Sequence, residues 1–187
     1  MSEAADTAAA NGDQPDEVMW QGRFITARRK GKWEYVSRAR GIRAAVILAI
    51  DEGHVILVEQ FRVPLGRPCI ELPAGLVGDH DDIAGEEDSA AAARELEEET
   101  GYRAERMDPI GEFWSSPGMV SESFTLLRAH GLTRVSAGGG TEGENITVHR
   151  VKLSDVPDAI EAWRRRGYAI DVKLLTILGP GILADCG

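Results

Sequence analysis

Positive charge is scarce in this chain. Against 31 aspartates and glutamates stand 21 lysines and arginines, a formal net charge of −10 over 187 residues. A surface that binds a phosphate backbone needs a basic footprint to displace counterions, so a nucleic-acid partner is not expected. Cysteine is scarcer still: Cys69 and Cys186 are the only two. Two cysteines make no disulfide framework, and a reducing cytoplasm is the simpler setting. Neither has a histidine close in sequence that would support a reactive thiolate. Long apolar runs are missing too. None approaches the roughly 20 residues that a membrane span needs, and the N-terminus carries Glu3 and Asp6 where a signal sequence would be basic and then apolar. A cytoplasmic protein with no membrane partner is expected.

What is present is the composition of one globular domain with a full core, 43% hydrophobic and 28% charged. Residues 1–16 are small, polar and acidic and read as a disordered tail. Residues 17–42 form an N-terminal β segment, in which RFITARR (23–29) and WEYVSRA (33–39) alternate around a glycine-containing turn. The main domain spans 43–187. AAVILAI (44–50) and HVILVEQF (54–61) flank Asp51, Glu52 and Gly53 as a hairpin of central strands, and PCIELPAG (68–75) is a further strand running into a turn. A helix is predicted from Glu86 to Thr100, with Gly101 as its C-cap. Strands follow at 108–114, 122–129 and 146–152, the last two separated by the glycine-rich stretch 136–145. A helix begins near Ser154 with Pro157 in its first turn, and a short one near Lys173 stops at Gly179 and Pro180. The order predicts an α+β or α/β sandwich, a mixed β-sheet sandwiched between helices with an N-terminal antiparallel segment.

The informative helix is E86EDSAAAARELEEETGY102. Glu95, Glu98 and Glu99 stand at i, i+3 and i+4 and share one face. Ala93, Leu96 and Thr100 fall on another face that can pack on a sheet, and Glu97 points away. A string of glutamates is ordinarily a solvated helix face. This trio, however, has no lysines at matching offsets to relieve its repulsion. Hard cations such as Mg²⁺ bind carboxylate oxygens and keep several waters, which this trio would suit.

Glu86, seven residues, then Arg94-Glu95-Leu96-Glu97-Glu98-Glu99-Thr100-Gly101-Tyr102 resembles the signature of the Nudix hydrolases. One departure is visible: His80 stands where the signature's first glycine is expected, and Gly75 is its counterpart across an insertion at about 78–82. The run 56–76 is similar to the corresponding stretch of the ADP-ribose and ADP-sugar pyrophosphatases, and 115–122 resembles a Ser-Pro-Gly segment of ADP-ribose and GDP-mannose hydrolases. The resemblance implies that Glu95, Glu98 and Glu99 are metal ligands together with the carbonyl of Ala74, and that Arg94 and Glu86 pair to brace the helix. Mg²⁺ is the implied cofactor, with Mn²⁺ as a substitute. It further implies that Arg62 grips a phosphate, that Trp20 and Trp33 sandwich the base, and that Arg38, Met119 and Glu122 touch substrate. Glu142 is the implied catalytic base and Glu144 an additional metal ligand, or the reverse, on a loop whose glycines at 138–140 and 143 permit closure. Glu98 counts with Glu142 and Glu144 among the catalytic residues. A homodimer is implied, in which the segment 17–42 exchanges between subunits and covers substrate. The reaction implied is hydrolysis of the pyrophosphate of a nucleoside diphosphate sugar, ADP-ribose before GDP-mannose. A non-catalytic nucleotide-sugar-binding regulator is disfavoured by the intact acidic box and the lack of a basic appendage.

Overall fold

The computed structural model describes residues 14–39, 42–77, 88–141 and 143–184. The acidic tail up to Asp13, the insertion at 78–82, Glu86, Glu142 and Cys186 lie outside the described residues. The strands are β1 (Asp16–Gln21), β2 (Ile25–Lys30), β3 (Trp33–Arg38), β4 (Arg43–Asp51), β5 (His54–Arg62), β6 (Arg67–Glu71) and β7 (Ala74–Val77). Helix α1 (Asp88–Thr100) follows, then β8 (Tyr102–Arg103), β9 (Arg106–Trp114), β10 (Ser123–His130), β11 (Thr133–Arg134) and β12 (Thr147–Lys152). Helix α2 (Val156–Arg165), strand β13 (Ala169–Ile170) and helix α3 (Leu175–Ala184) complete the order.

The central sheet has eight strands, running β13-β6-β5-β4-β10-β9, with β12 on β5 and β7 on β4. It is mixed: β10 runs parallel to β4 and β13 to β6, while the other pairs are antiparallel. Alternation along β4 assigns its two faces, since successive side chains of a strand point opposite ways. Ala45, Ile47 and Ala49 join Ile56, Leu127 and the α1 residues Ala91, Ala92 and Leu96 in one core. Val46 joins Leu57, Ile70 and Leu72 with Val156, Ile160 and Trp163 of α2 and with Leu174 in the other. The sheet is therefore covered by α1 on one face and by the C-terminal helices on the other, an α+β sandwich as expected.

Three strands at the N-terminus, β1-β2-β3, form a separate antiparallel sheet. It is laced to the main body along one line: Val36 N–H donates to the Met119 carbonyl at 2.9 Å, and Ser121 N–H to the Val36 carbonyl at 3.0 Å. Two expectations are corrected. Helix α3 continues through Gly179 and Pro180 to Ala184. A proline six residues into a short helix removes only one backbone bond, and Ile177 and Leu178 pack on the core beneath. The face of α1 buried on the sheet is Ala91, Ala92, Leu96 and Thr100, with Ala93 only half-buried. Glu99 borders that face and is itself buried.

Candidate active site

Strands β4 and β5 pair only beside their turn, at Ile50–Val55 and Asp51–His54. Beyond it β4 turns to β7 and β10, and β5 to β6 and β12. A cleft of about 460 Å³ opens where they part, floored by both strands and walled by β7 and α1. Of the residues singled out in the sequence, Arg38, Arg62, Ala74, Glu95, Glu98, Glu99, Glu122 and Glu144 all line it.

The three helix glutamates face this cleft in different states. Glu99 Oε2 accepts the Ala74 N–H at 3.1 Å. Burial pushes its carboxyl up to about 8; the Ala74 bond opposes the shift, and the charges of Glu95 and Glu144 add to it. Glu95 is also raised, first by burial, with Arg94 opposing and Glu98 and Glu144 reinforcing. Arg94 Nη1 donates to Glu95 Oε1 at 2.9 Å and reaches Glu98 Oε2 at 3.4 Å. Glu97 stands apart, as the helical spacing requires, in an exposed ion pair with Arg103.

Among the described residues, no three His, Cys, Asp or Glu groups already converge as a metal cage. Glu95 and Glu98 are drawn to Arg94, and Glu99 to Ala74. The donor set nevertheless fits a hard divalent cation. It offers carboxylate oxygens on one helix face and one loop with Ala74 lining the same cleft, and a carboxyl whose ionisation is resisted first by burial and then by its neighbours' negative charge is stabilised by an added cation.

Gly75 makes this arrangement sterically feasible. A methyl group there would lie 2.0 Å from Glu95 Cγ and 2.2 Å from Cδ. Gly75→Ala should therefore swing Glu95 off the strand while the flexible side chain spares the fold. The expected outcome is a loss of roughly 10–100-fold in kcat/KM toward the substrate, with a melting temperature close to that of the parent. Unchanged kinetics would show that the position of Glu95 is immaterial.

On the opposite wall Arg62 is held by Glu71, Nε to Oε1 at 2.6 Å and Nη2 to Oε2 at 2.8 Å. Glu71 is 5% exposed. Its burial alone would raise the carboxyl, but the hydrogen bonds and charge of Arg62, with Lys173 behind, hold it below the ordinary value. Arg38 Nε donates to Glu122 Oε1 at 2.6 Å, so two expected substrate contacts are paired with each other. Sequence reasoning missed Glu71, Lys173 and Thr141, which also line the cleft. The available signal for Glu71 was a carboxylate between Ile70 and Leu72 in an apolar strand, where an unpaired charge would be costly.

Three expected contacts lie elsewhere. Met119 faces a second cavity of about 330 Å³, with Met19 and Tyr35 of the small sheet. Trp20 and Trp33 are 58% and 51% exposed on that sheet and do not line the cleft. Cys69 is buried, and desolvation pushes its thiol up to about 12, which keeps it an inert thiol.

A helix with a carboxylate triad laid along a cleft in an α+β sandwich defines a class that the known proteins identify. The NUDIX domain model matches residues 39–170. An uncharacterized Nudix hydrolase of Schizosaccharomyces pombe is 33% identical over 176 residues, 86% of this chain and 80% of that protein. The chain belongs to the Nudix family. It is also 39% identical over 119 residues to an ADP-ribose pyrophosphatase of Bacillus subtilis, covering 63% of this chain and 62% of that protein. A crystal structure of an ADP compounds hydrolase matches 91% of this chain and 93% of its own, with a TM-score of 0.65. At 21% identity that likeness shows the fold alone.

Proposed function

We propose that the cleft hydrolyses the diphosphate bond of a nucleoside diphosphate sugar, with ADP-ribose giving AMP and ribose 5-phosphate. The observation that carries this reading is the meeting, in one cleft, of an acidic helix face with Arg62 and Arg38. Carboxylates and guanidinium groups together suit a substrate bound partly through cations and partly by direct forks to phosphate oxygens. The name of the Bacillus subtilis relative favours ADP-ribose.

Mg²⁺, or Mn²⁺ in its place, would be held by Glu95, Glu98 and Glu99 with the Ala74 carbonyl and Glu144; it would neutralise the diphosphate and lower the pKa of an attacking water. Arg62 orients one phosphate, its guanidinium plane fixed by Glu71. Arg38 and Glu122 flank the substrate at the other rim. Glu142, or Glu144 if the two exchange roles, accepts the proton of the attacking water.

The protein acts as a homodimer in the cytoplasm. Val18, Met19, Trp20 and Trp33 of the small sheet, and Phe24 in the bend before β2, are all more than half exposed. Large apolar side chains exposed on one small sheet support an interaction surface there. Exchange of that sheet between subunits brings Trp20 and Trp33 to bracket the base.

The test is product identification. Purified protein with Mg²⁺ should convert ADP-ribose to AMP and ribose 5-phosphate, resolved by chromatography, faster than it converts GDP-mannose. Absence of nucleoside monophosphate from ADP-ribose, ADP-mannose and GDP-mannose alike would remove the proposal.

A further inference from the structure

The stretch 136–146 is glycine-rich, yet it is fastened at both ends. Gly139 N–H donates to the Glu99 carbonyl at 2.8 Å and Gly140 N–H to the Glu98 carbonyl at 3.0 Å. These are among the last carbonyls of α1, which have no partner inside the helix. Gly138 has φ +69°, and a methyl group on it would stand 2.4 Å from the Thr100 carbonyl carbon. Backbone of this conformation, pressed against other backbone, admits no larger residue. At the far end Ile146 N–H donates to the Gly139 carbonyl at 3.1 Å, and the Ile146 side chain is buried. The stretch expected to close over substrate is thus, over 138–140, a clamp on the C-terminus of the acidic helix.

Within that clamp the Glu144 carboxylate is aimed by one residue. Thr141 donates twice to Glu144 Oε2, from its backbone N–H at 2.6 Å and from Oγ1 at 2.9 Å. Glu144 N–H returns a bond to the Thr141 carbonyl at 3.1 Å. Gly140 leaves room for this: a methyl group there would be 2.5 Å from Glu144 Oε2. One carboxylate oxygen therefore takes both donors, and Oε1 takes neither of them. Thr141 and Glu144 both line the cleft.

We propose that Thr141 is a positioning residue: it pins Glu144 Oε2 so that Oε1 is presented to the reacting centre, at a height that the glycine clamp fixes against Glu98 and Glu99. The inference rests on the proposed hydrolysis. Hydrogen bonds to a charged acceptor are stronger and more directional than neutral ones, and misplacing a reacting group by a fraction of its reach lowers the rate more than the binding.

The experiment uses the full chain with Mg²⁺ and ADP-ribose. Thr141→Val keeps the side-chain shape and removes the hydroxyl donor. Its kcat is expected to fall roughly tenfold with KM within about twofold, and Thr141→Ser should restore kcat. In a Glu144→Gln background, Thr141→Val should cause no further loss, because residues acting as a unit are not additive. A second readout needs no turnover. In a ¹⁵N–¹H spectrum of the metal-free protein, the Thr141 amide proton should lie downfield and move upfield in Glu144→Gln. Full kcat in Thr141→Val, failed rescue by serine, losses that multiply in the double variant, or a Thr141 amide indifferent to Glu144→Gln would each overturn the assignment. Failure of the wild-type protein to cleave any nucleoside diphosphate sugar would instead strike the proposed function, and the amide shift would still decide whether Thr141 holds Glu144.

Discussion

Replacing Glu99 with glutamine should cost at least about 10²–10³-fold in kcat, the several kcal/mol expected of lost cation-assisted charge stabilisation, while the protein stays folded. The two halves of that expectation come from one environment. Glu99 is 7% exposed at the edge of the face that α1 buries on the sheet. With its carboxyl pushed up to about 8, it is mostly protonated at neutral pH without a metal. An amide has almost the shape of a protonated carboxyl, and its oxygen can still accept the Ala74 N–H that Glu99 Oε2 now accepts. Glutamine should therefore satisfy the fold and fail the chemistry, since a neutral amide is a poor ligand for a hard cation. Glu98→Gln should lose a similar share of activity with still less effect on folding, because its side chain is 39% exposed. The measurements are steady-state kinetics with Mg²⁺ and a thermal melt without it. Full turnover in either variant would remove that glutamate from the cation site. A collapsed melting temperature for Glu99→Gln would show that its negative charge is needed by the fold.

The acidic triad was legible because it depends on a single local regularity, the helical period. Glu95, Glu98 and Glu99 converge on one cleft, and Glu97 turns away to Arg103, as the spacing requires. The central hairpin was equally local, with its turn at Glu52 and Gly53. What the sequence did not display is how β4 and β5 separate after that turn. Their parting is decided by which strands each recruits, Ala74–Val77 on one side and Arg67–Glu71 on the other. The cleft is the product of those long-range pairings. Glu71 could be seen as anomalous in an apolar strand, but its partner Arg62 meets it only across the β5–β6 pairing. Lys173 reaches the cleft from beyond α2, where it is tied to Asp171 at 2.7 Å. The glycines at 138–140 illustrate the converse difficulty. Composition alone suggests freedom, whereas the structure spends their positive φ angles on a fixed bend that caps α1. Trp20 and Trp33 carry no such local signal: the strand pattern places them on the small sheet, exposed and outside the cleft.

The metal-free protein should lose stability as pH rises from about 5 to about 8, opposite to the usual behaviour of a buried carboxylate in an ion pair. Glu99 is the source. Its folded value of about 8 lies above the 4.5 of a free glutamate side chain, so between those limits the folded state binds more protons than the unfolded one. Stability then falls with each unit of pH in that window. The contribution is fully present below about 4.5 and gone above about 8, and Glu95, raised by burial as well, adds in the same direction. Glu71 works in reverse: held below the ordinary value by Arg62, it contributes stability that is lost only as pH drops through its folded value. Maximum stability without metal is therefore expected near pH 5, with a melting temperature lower by roughly 5–10 °C at pH 8, a loss on the order of a few kcal/mol. Saturating Mg²⁺ or Mn²⁺ should flatten or reverse that slope, because the cation binds the ionised carboxylates and its stabilisation grows as they lose their protons. Glu99→Gln should remove most of the slope by itself, leaving the smaller share that Glu95 supplies. A wild-type melting temperature that rises between pH 5 and pH 8 in the presence of a chelator would mean that Glu99 is ionised without a cation. The buried end of the triad would then be charge-balanced by the protein's own cations, Arg62 foremost, and would need no metal to hold it.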